Sequence, residues 1–353
     1  MNYTIPLTIL LLSATPLLAQ SPLEEAMAGI THQGELRFGA IGTEDALGTT
    51  ATTLSLGGRL SLETKPLNGV SLVGTFFTTT PLFGEDEEGL FLDSTNRGYA
   101  IVGESYLKAL WSATTLKVGR QLIDTPFADS DDIAMIPNTF EALSVVSKEL
   151  PDTTLSLALL TQMAGVDAPI AQRFSKLQPS ADPVVVAGVE YEGIAHTNLA
   201  LWYYGIDAGD ILYAEGSYEM AGVTVGVQYA DQDHDNTAYG ALVEAEISDF
   251  TLGVAYNKAE GIVSNGFGGG AFFTSSEDHT IAAVRDQEAL RYRAAYALGS
   301  FEVGVAHLAL DKGEDETDYL LHYAVNKNHT LDIIYSEMYD DGNMVRFFAN
   351  YSF

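Results

Sequence analysis

Between Thr53 and Glu63 the chain alternates in polarity. Leu54, Leu56, Leu60 and Leu62 share one parity, and Ser55, Arg59 and Glu63 share the other. A period of two over such a run describes a β-strand with two unlike faces. The pattern returns in Gly222 to Ala230, where Val223, Val225, Val227 and Tyr229 oppose Thr224, Gly226 and Gln228. It returns again where Leu290, Tyr292, Ala294 and Tyr296 oppose Arg291 and Arg293, and where Phe301, Val303 and Val305 oppose Glu302 and Gly304. The final run sets Val345, Phe347, Ala349, Tyr351 and Phe353 against Arg346, Asn350 and Ser352. Such segments number about 18, near 34–41, 53–63, 69–78, 98–111, 114–120, 140–149, 153–163, 184–192, 197–204, 211–219, 222–230, 238–247, 250–258, 288–297, 301–309, 318–325, 329–336 and 344–353. The count falls to 16 if two weak segments merge.

The connections alternate in length. Short ones such as Lys65-Pro66-Leu67-Asn68, Ser112-Ala113, Ser248-Asp249 and Asn326-Lys327-Asn328 predict tight hairpins. Between them lie mostly longer acidic or Gly-rich stretches: 79–97, 121–139, 164–183, 231–237, 259–287, 310–317 and 337–343. Short turns on one rim and long loops on the other predict an all-β, transmembrane antiparallel barrel. An exported soluble sandwich or propeller would also alternate. Against it, the polar parity here holds isolated ionisable groups with many Gly, Ser and Thr. The apolar parity carries aromatics near strand ends (Tyr99, Trp111, Tyr191, Tyr229, Tyr256, Tyr296, Tyr319, Tyr335, Tyr351), as an interfacial girdle requires.

Composition narrows the function classes. The 353 residues hold 17 Lys+Arg against 48 Asp+Glu, a formal charge of −31, so there are too few cations for nucleic-acid binding. Only 18% of residues are charged while 46% are hydrophobic, which excludes an acidic disordered polymer. The absence of cysteine removes disulfides, thiolate metal sites and cysteine nucleophiles. Ile5 to Ala19 is an apolar run too short to span a membrane; residues 1–19 are expected to be a signal peptide, leaving 20–353 as the barrel domain.

The segment Leu116 to Ala142 contains Gly119-Arg120-Gln121, Ser130-Asp131-Asp132-Ile133 and Pro137-Asn138-Thr139-Phe140-Glu141. It resembles OprD-type outer-membrane porins, in which a strand is followed by a pore-constricting loop. The start Pro22-Leu23-Glu24-Glu25-Ala26 through Gly34-Glu35-Leu36-Arg37, and the run Phe272 to Ile281, are similar to epsilonproteobacterial versions. Terminal Phe353 with Tyr351 resembles the outer-membrane assembly signal. The resemblance implies an 18-stranded barrel, a possible homotrimer, and passage of small hydrophilic solutes. It also implies an inward-folding loop near 121–139 and partners in lipid, lipopolysaccharide and the barrel assembly machinery. Ala134 stands where the family usually has Arg, so basic specificity is not carried over there.

A porin selects by lumen width and wall charge. Parity places Arg37, Arg59, Glu104, Lys108, Lys117, Glu190, Glu215, Glu219, Glu244, Glu246, Arg291, Arg293, Glu302, Asp318 and Arg346 on the polar face. The basic members are expected to face Asp124, Asp129, Asp131 and Asp132 of the loop. Arg120 lies on the apolar parity of Leu116 and Val118, where facing lipid is costly, so a bulge or an early strand end is expected to turn it inward toward those carboxylates. Acids at 85–88, 231–235, 314–316 and 340–341 are expected to form a negative vestibule and a cation preference.

Other signals carry less. Asp231, Asp233 and Asp235 have calcium-ligand spacing but lack the Gly and Glu of an EF-hand. Gly266-Phe267-Gly268 mimics a dinucleotide fingerprint outside any βαβ unit and reads as flexible loop. No HExxH, GxSxG or P-loop occurs. No cofactor or metal and no enzymatic activity is expected. An outer-membrane barrel hydrolase or an adhesive barrel remain the alternative readings.

Overall fold

The computed structural model describes residues 21–86, 89–180, 182–339 and 342–353; the expected signal peptide and the acids at 87–88 and 340–341 lie outside them. A short helix, α1 (Pro22–Ala28), precedes a closed barrel of 18 antiparallel strands. They are β1 (Thr31–Glu44), β2 (Thr50–Glu63), β3 (Val70–Gly84), β4 (Tyr99–Trp111), β5 (Thr114–Gln121), β6 (Thr139–Ser147), β7 (Thr153–Ala164), β8 (Val184–Ile194) and β9 (Thr197–Gly205). The second half comprises β10 (Ile211–Met220), β11 (Val223–Gln232), β12 (Asn236–Ile247), β13 (Phe250–Glu260), β14 (Glu288–Leu298), β15 (Phe301–Leu310), β16 (Glu316–Asn326), β17 (His329–Glu337) and β18 (Asn343–Ser352). Each strand pairs with its sequence neighbour, and β18 pairs with β1 from Glu35↔Ser352 to Glu44↔Asn343, which leaves no free edge.

The parity read from sequence becomes the inside and outside of this barrel. In β2, Leu56, Leu60 and Leu62 are exposed on the outer surface, while Thr53 and Ser55 are buried within. Leu36, Leu72, Leu107, Val118, Leu157, Leu201, Val227, Val254 and Val303 continue the exposed apolar belt. No helix among the described residues is long and apolar enough to cross a membrane. The apolar belt is the surface that a bilayer covers, and interstrand pairing satisfies the backbone within it. Trp111, Tyr191, Tyr229, Tyr319 and Tyr351 stand exposed near strand ends. Tyr99 departs from its expected place. Gly103 is an extra residue between the Thr75↔Glu104 and Phe76↔Val102 pairs, so parity flips above it and Tyr99 packs inward beside Phe91 and Ile101.

The loop rim is less uniform than the alternation implied. Connections at 45–49, 206–210, 233–235, 311–315 and 338–342 are short, and the bulk lies in 85–98, 122–138, 165–183 and 261–287. These long loops fold over and into the barrel, where they build two apolar cores. One packs Ile123, Phe127 and Ala128 with Phe272 and Ile281 against the inner faces of β7 to β15. The other packs Phe91, Leu92, Met135 and Ile136 against Ile41, Phe77 and Phe348. The barrel is therefore filled by loops on its long-loop side and open as polar cavities on its short-turn side.

Candidate pore constriction

The loop 122–138 leaves the wall where β5 ends at Gln121, whose buried amide bonds Ser144 (2.6 Å) and the Ala142 carbonyl (3.0 Å). Its first part is a miniature hairpin in which Asp124 pairs with Asp129 and Thr125 with Ala128. At the tip, fully buried Phe127 is surrounded edge-on by Tyr204, Tyr213 and Phe272 at centroid distances of 5.6, 5.5 and 5.9 Å. Its amide donates to the Tyr204 hydroxyl (3.2 Å). Such edge-to-face packing fixes a loop tip as rigidly as a core residue.

The second part is held by Arg37 of β1. Its guanidinium donates to both oxygens of Asp132 (2.7 and 2.9 Å), to the Ala134 carbonyl (2.6 Å) and to Asn350 (3.0 Å), with Glu35 at 3.2 Å. A bidentate pair of this kind, with the guanidinium buried and the carboxylate partly exposed, is directional and strong. Asn138, also buried, exchanges hydrogen bonds with Asp167 of the 165–183 loop (2.5 and 3.2 Å). Asp131 lies near Asp129 and Asp167; burial first, then these neighbouring charges, push its carboxyl up to about 6. Burial and Asp124 raise Asp129 as well.

The loop 261–287 also turns inward, which sequence reasoning missed. Phe267 forms a parallel bridge with Ala128: its amide donates to the Phe127 carbonyl (3.0 Å), and its carbonyl accepts from the Asp129 amide (3.0 Å). Gly266, Gly268 and Gly269 have φ of +79°, +81° and +68°, and a Cβ on Gly266 would run into the Phe127 carbonyl. The glycine run read as flexible is thus a close backbone seam between the two loops. Farther along, buried Glu316 of β16 accepts from the amides of Asp278 (3.0 Å) and His279 (2.6 Å), and buried Asp318 accepts from Ser276 (2.5 Å) and Ser336 (2.8 Å). Arg346 of β18, fully buried, lies 3.4 Å from Glu277 and 3.2 Å from Asp278. Burial raises Glu277 above the usual carboxylate range, with Arg346 opposing that rise.

The polar-face residues predicted from parity are on the inner wall. Arg59 lies 3.6 Å from Glu35, Lys108 3.1 Å from Glu63, and Arg293 3.4 Å from Glu244. Lys117 stands 5.0 Å from the Tyr106 ring centroid in a cavity of about 460 Å³ shared with Arg59 and Glu104. Arg291 is half-buried close to Asp318 and Glu277, away from the open cavities. On the opposite wall a cavity of about 490 Å³ is lined by Asp124, Asp129, Glu190, Glu215, Trp202 and Tyr213. Glu215 accepts from the Tyr213 hydroxyl (2.5 Å). Among the described residues, no ion pair is formed by Asp124, Asp129, Glu190 or Glu215.

Two expectations need correction. Arg120 does not turn inward: its register with Ser105 and Glu141 is unbroken, so it keeps the outer parity. Above Gln121 the wall lacks β5, and the Arg120 guanidinium fills the seam, 3.8 Å from Glu141, 3.5 Å from the Val102 carbonyl and 4.2 Å from the Phe174 ring centroid. These contacts supply the compensation expected from the loop carboxylates. The acids of the vestibule are not all outward. Asp86 is buried, receiving the amides of Gly89, Phe91 and Leu92 (3.1, 2.6 and 2.7 Å), and Glu316 is wholly buried. Asp231, Asp233 and Asp235 do not converge as cation ligands; the carboxylates that do are those of Asp278, Glu316 and Asp318, within 4.8 Å of one another. Arg346 already supplies positive charge there, so the group fits an ion-paired anchor better than a metal site.

Tyr351 is exposed and stacked on His329 (4.7 Å), and Phe353 exchanges backbone hydrogen bonds with Gly34 (2.9 Å each way) at the barrel's closing seam.

Residues 87–215 match the OprD family of outer membrane porins. No curated protein matches the chain by sequence. Several solved structures share its fold. OpdK of Pseudomonas aeruginosa, solved with vanillate, is 19% identical, with a TM-score of 0.79 over 92% of this chain and 99% of that one. OccK9 (OpdG) of the same organism is 15% identical, TM-score 0.79, over 93% and 99%. OccAB2 of Acinetobacter baumannii is 15% identical, TM-score 0.78, over 93% and 99%.

Proposed function

We propose that the chain is an OprD-type porin of the outer membrane, a passive diffusion channel whose lumen favours cations among the small hydrophilic solutes it passes. One observation carries this reading. Arg37, Arg59, Lys108, Arg293 and Arg346 each lie within ion-pair distance of a carboxylate. Asp124, Asp129, Glu190 and Glu215 instead line an open cavity without a basic partner. Against these four carboxylates stands Lys117 of the other cavity, which also has no ion pair among the described residues; the net uncompensated charge is negative, and in a narrow low-dielectric passage such charge raises the local concentration of cations. Arg37 and Arg346 act as mechanical fixings for the inward loops rather than as a track for anions. In this reading Tyr351 and Phe353 present the assembly signal at the seam they close, and the two inward loops set the aperture together.

Single-channel recording of the refolded protein tests the channel itself. Discrete conductance steps are expected; a folded but non-conducting barrel would favour the adhesive alternative, and solute hydrolysis lost on mutation of one Ser or His would favour the enzyme.

A further inference from the structure

Helix α1 sits on the short-turn rim, the periplasmic side of such barrels. It is built to hold its shape although brief. Ser21 caps it reciprocally with Glu24 (3.2 and 2.6 Å), and Pro22 occupies the first turn. It is tied to the turn joining β2 and β3: Lys65 pairs with Glu25 (2.8 Å), and the Lys65 amide donates to the Ala26 carbonyl (3.2 Å). These ties use the backbone and the Glu25 side. Leu23 and Met27, spaced i and i+4, fall on another side and stay 63 and 50% exposed, and Ile30, just past the Gly29 cap, is 39% exposed.

Water is a poor neighbour for two large apolar side chains on one side of a helix with a third just past its end. The surface nearest the anchoring turn suggests what covers them. β2 enters that turn with Leu60 and Leu62 exposed outward, and β3 leaves it with Leu72 exposed outward. The turn's Gly69 carbonyl accepts from the amide of Leu110, which with Trp111 ends the exposed belt of β4. The helix therefore hangs from the lower margin of the lipid-covered belt, beside a tryptophan at interfacial height. We propose that α1 is an interfacial anchor, with Leu23, Met27 and Ile30 in the periplasmic leaflet and Glu24 and Glu25 toward water. The proposal rests on the barrel's residence in a bilayer and is independent of its ion selectivity.

The chain has no cysteine, so single cysteines report without background. Spin labels at Leu23→Cys, Met27→Cys and Glu24→Cys are read in the full-length protein in phosphatidylethanolamine and phosphatidylglycerol vesicles. Leu62→Cys serves as the lipid reference and Asn68→Cys as the water reference, and heat-modifiable migration verifies that each barrel is folded. The expected result is a ratio of oxygen to nickel-chelate collisions at positions 23 and 27 that approaches Leu62→Cys and exceeds Glu24→Cys several-fold. Nickel accessibility at 23 and 27 equal to that of Asn68→Cys would overturn the proposal. So would shielding from both reagents, which would place the helix against the lumen mouth or a second protein.

Discussion

The two loops that enter the lumen are both gripped by an arginine of the wall, but only the second adds a fastening through its backbone. The 122–138 loop offers side chains to the wall: Asp132 takes the bidentate grip of Arg37, and Phe127 buries its ring among Tyr204, Tyr213 and Phe272. The 261–287 loop adds backbone to side chains: Glu316 receives two of its amides, Gly266 and Phe267 lie along the first loop as a strand-like seam, and Glu277 and Asp278 meet the buried Arg346. A side-chain fastening leaves a signature in sequence, while a backbone fastening leaves little more than glycine. The difference also orders the expected consequences of damage, because buried charges are costly to orphan and backbone seams yield in smaller steps.

The largest effect is expected at the second loop. Arg346→Leu leaves Glu277 and Asp278 without their buried ion-pair partner, which costs about 3–5 kcal/mol. The measurement is protease sensitivity of the 261–287 loop in intact barrels, together with open-channel noise, and both should rise. Unchanged protection would show that the carboxylate-to-amide bonds suffice alone. At the first loop, Arg37→Ala removes the buried partner of charged hydrogen bonds to a partly exposed carboxylate, a loss of about 1.5–3 kcal/mol. It should raise conductance and noise, and Asp132→Asn should do so less because the amide still accepts. Gly266→Ala strains a positive-φ position and crowds the Phe127 carbonyl, at about 1–3 kcal/mol. It should loosen both loops together, and noise from only one loop would break the idea of a shared seam.

A smaller effect is expected from pH. Asp131, with its carboxyl raised to about 6, binds its proton more tightly in the folded loop than in the unfolded chain, where an aspartate titrates near 4. Its charge therefore costs the folded loop nothing below about pH 4 and costs fully above about pH 6. Lowering pH from 7.5 to 5 should reduce the cation-to-anion permeability ratio modestly as Asp131 loses its charge. Asp131→Asn should abolish most of that step; an identical step in the variant would assign it to other carboxylates.

Much of the barrel was legible because period two is a direct image of inside and outside. Each of the expected segments corresponds to a strand, and Arg37, Arg59, Lys117, Glu190 and Glu215 face inward as parity required. Parity failed where the strand geometry did. The extra Gly103 moved Tyr99 inside, and the early end of β5 gave Arg120 a wall seam to fill while still facing outward. Beginning the β16 segment at position 318 hid the fact that Glu316 and Asp318 share one inner face. Had that strand been started two residues earlier, the paired carboxylates would have marked an anchor, though not the loop it holds.

Whether the lumen's unspent charge is negative is read from the reversal potential of the wild-type channel under a tenfold potassium chloride gradient. A potential displaced toward the potassium equilibrium value, reduced in the Glu190→Gln, Glu215→Gln double variant, is the predicted result. A potential displaced toward the chloride value would contradict the account.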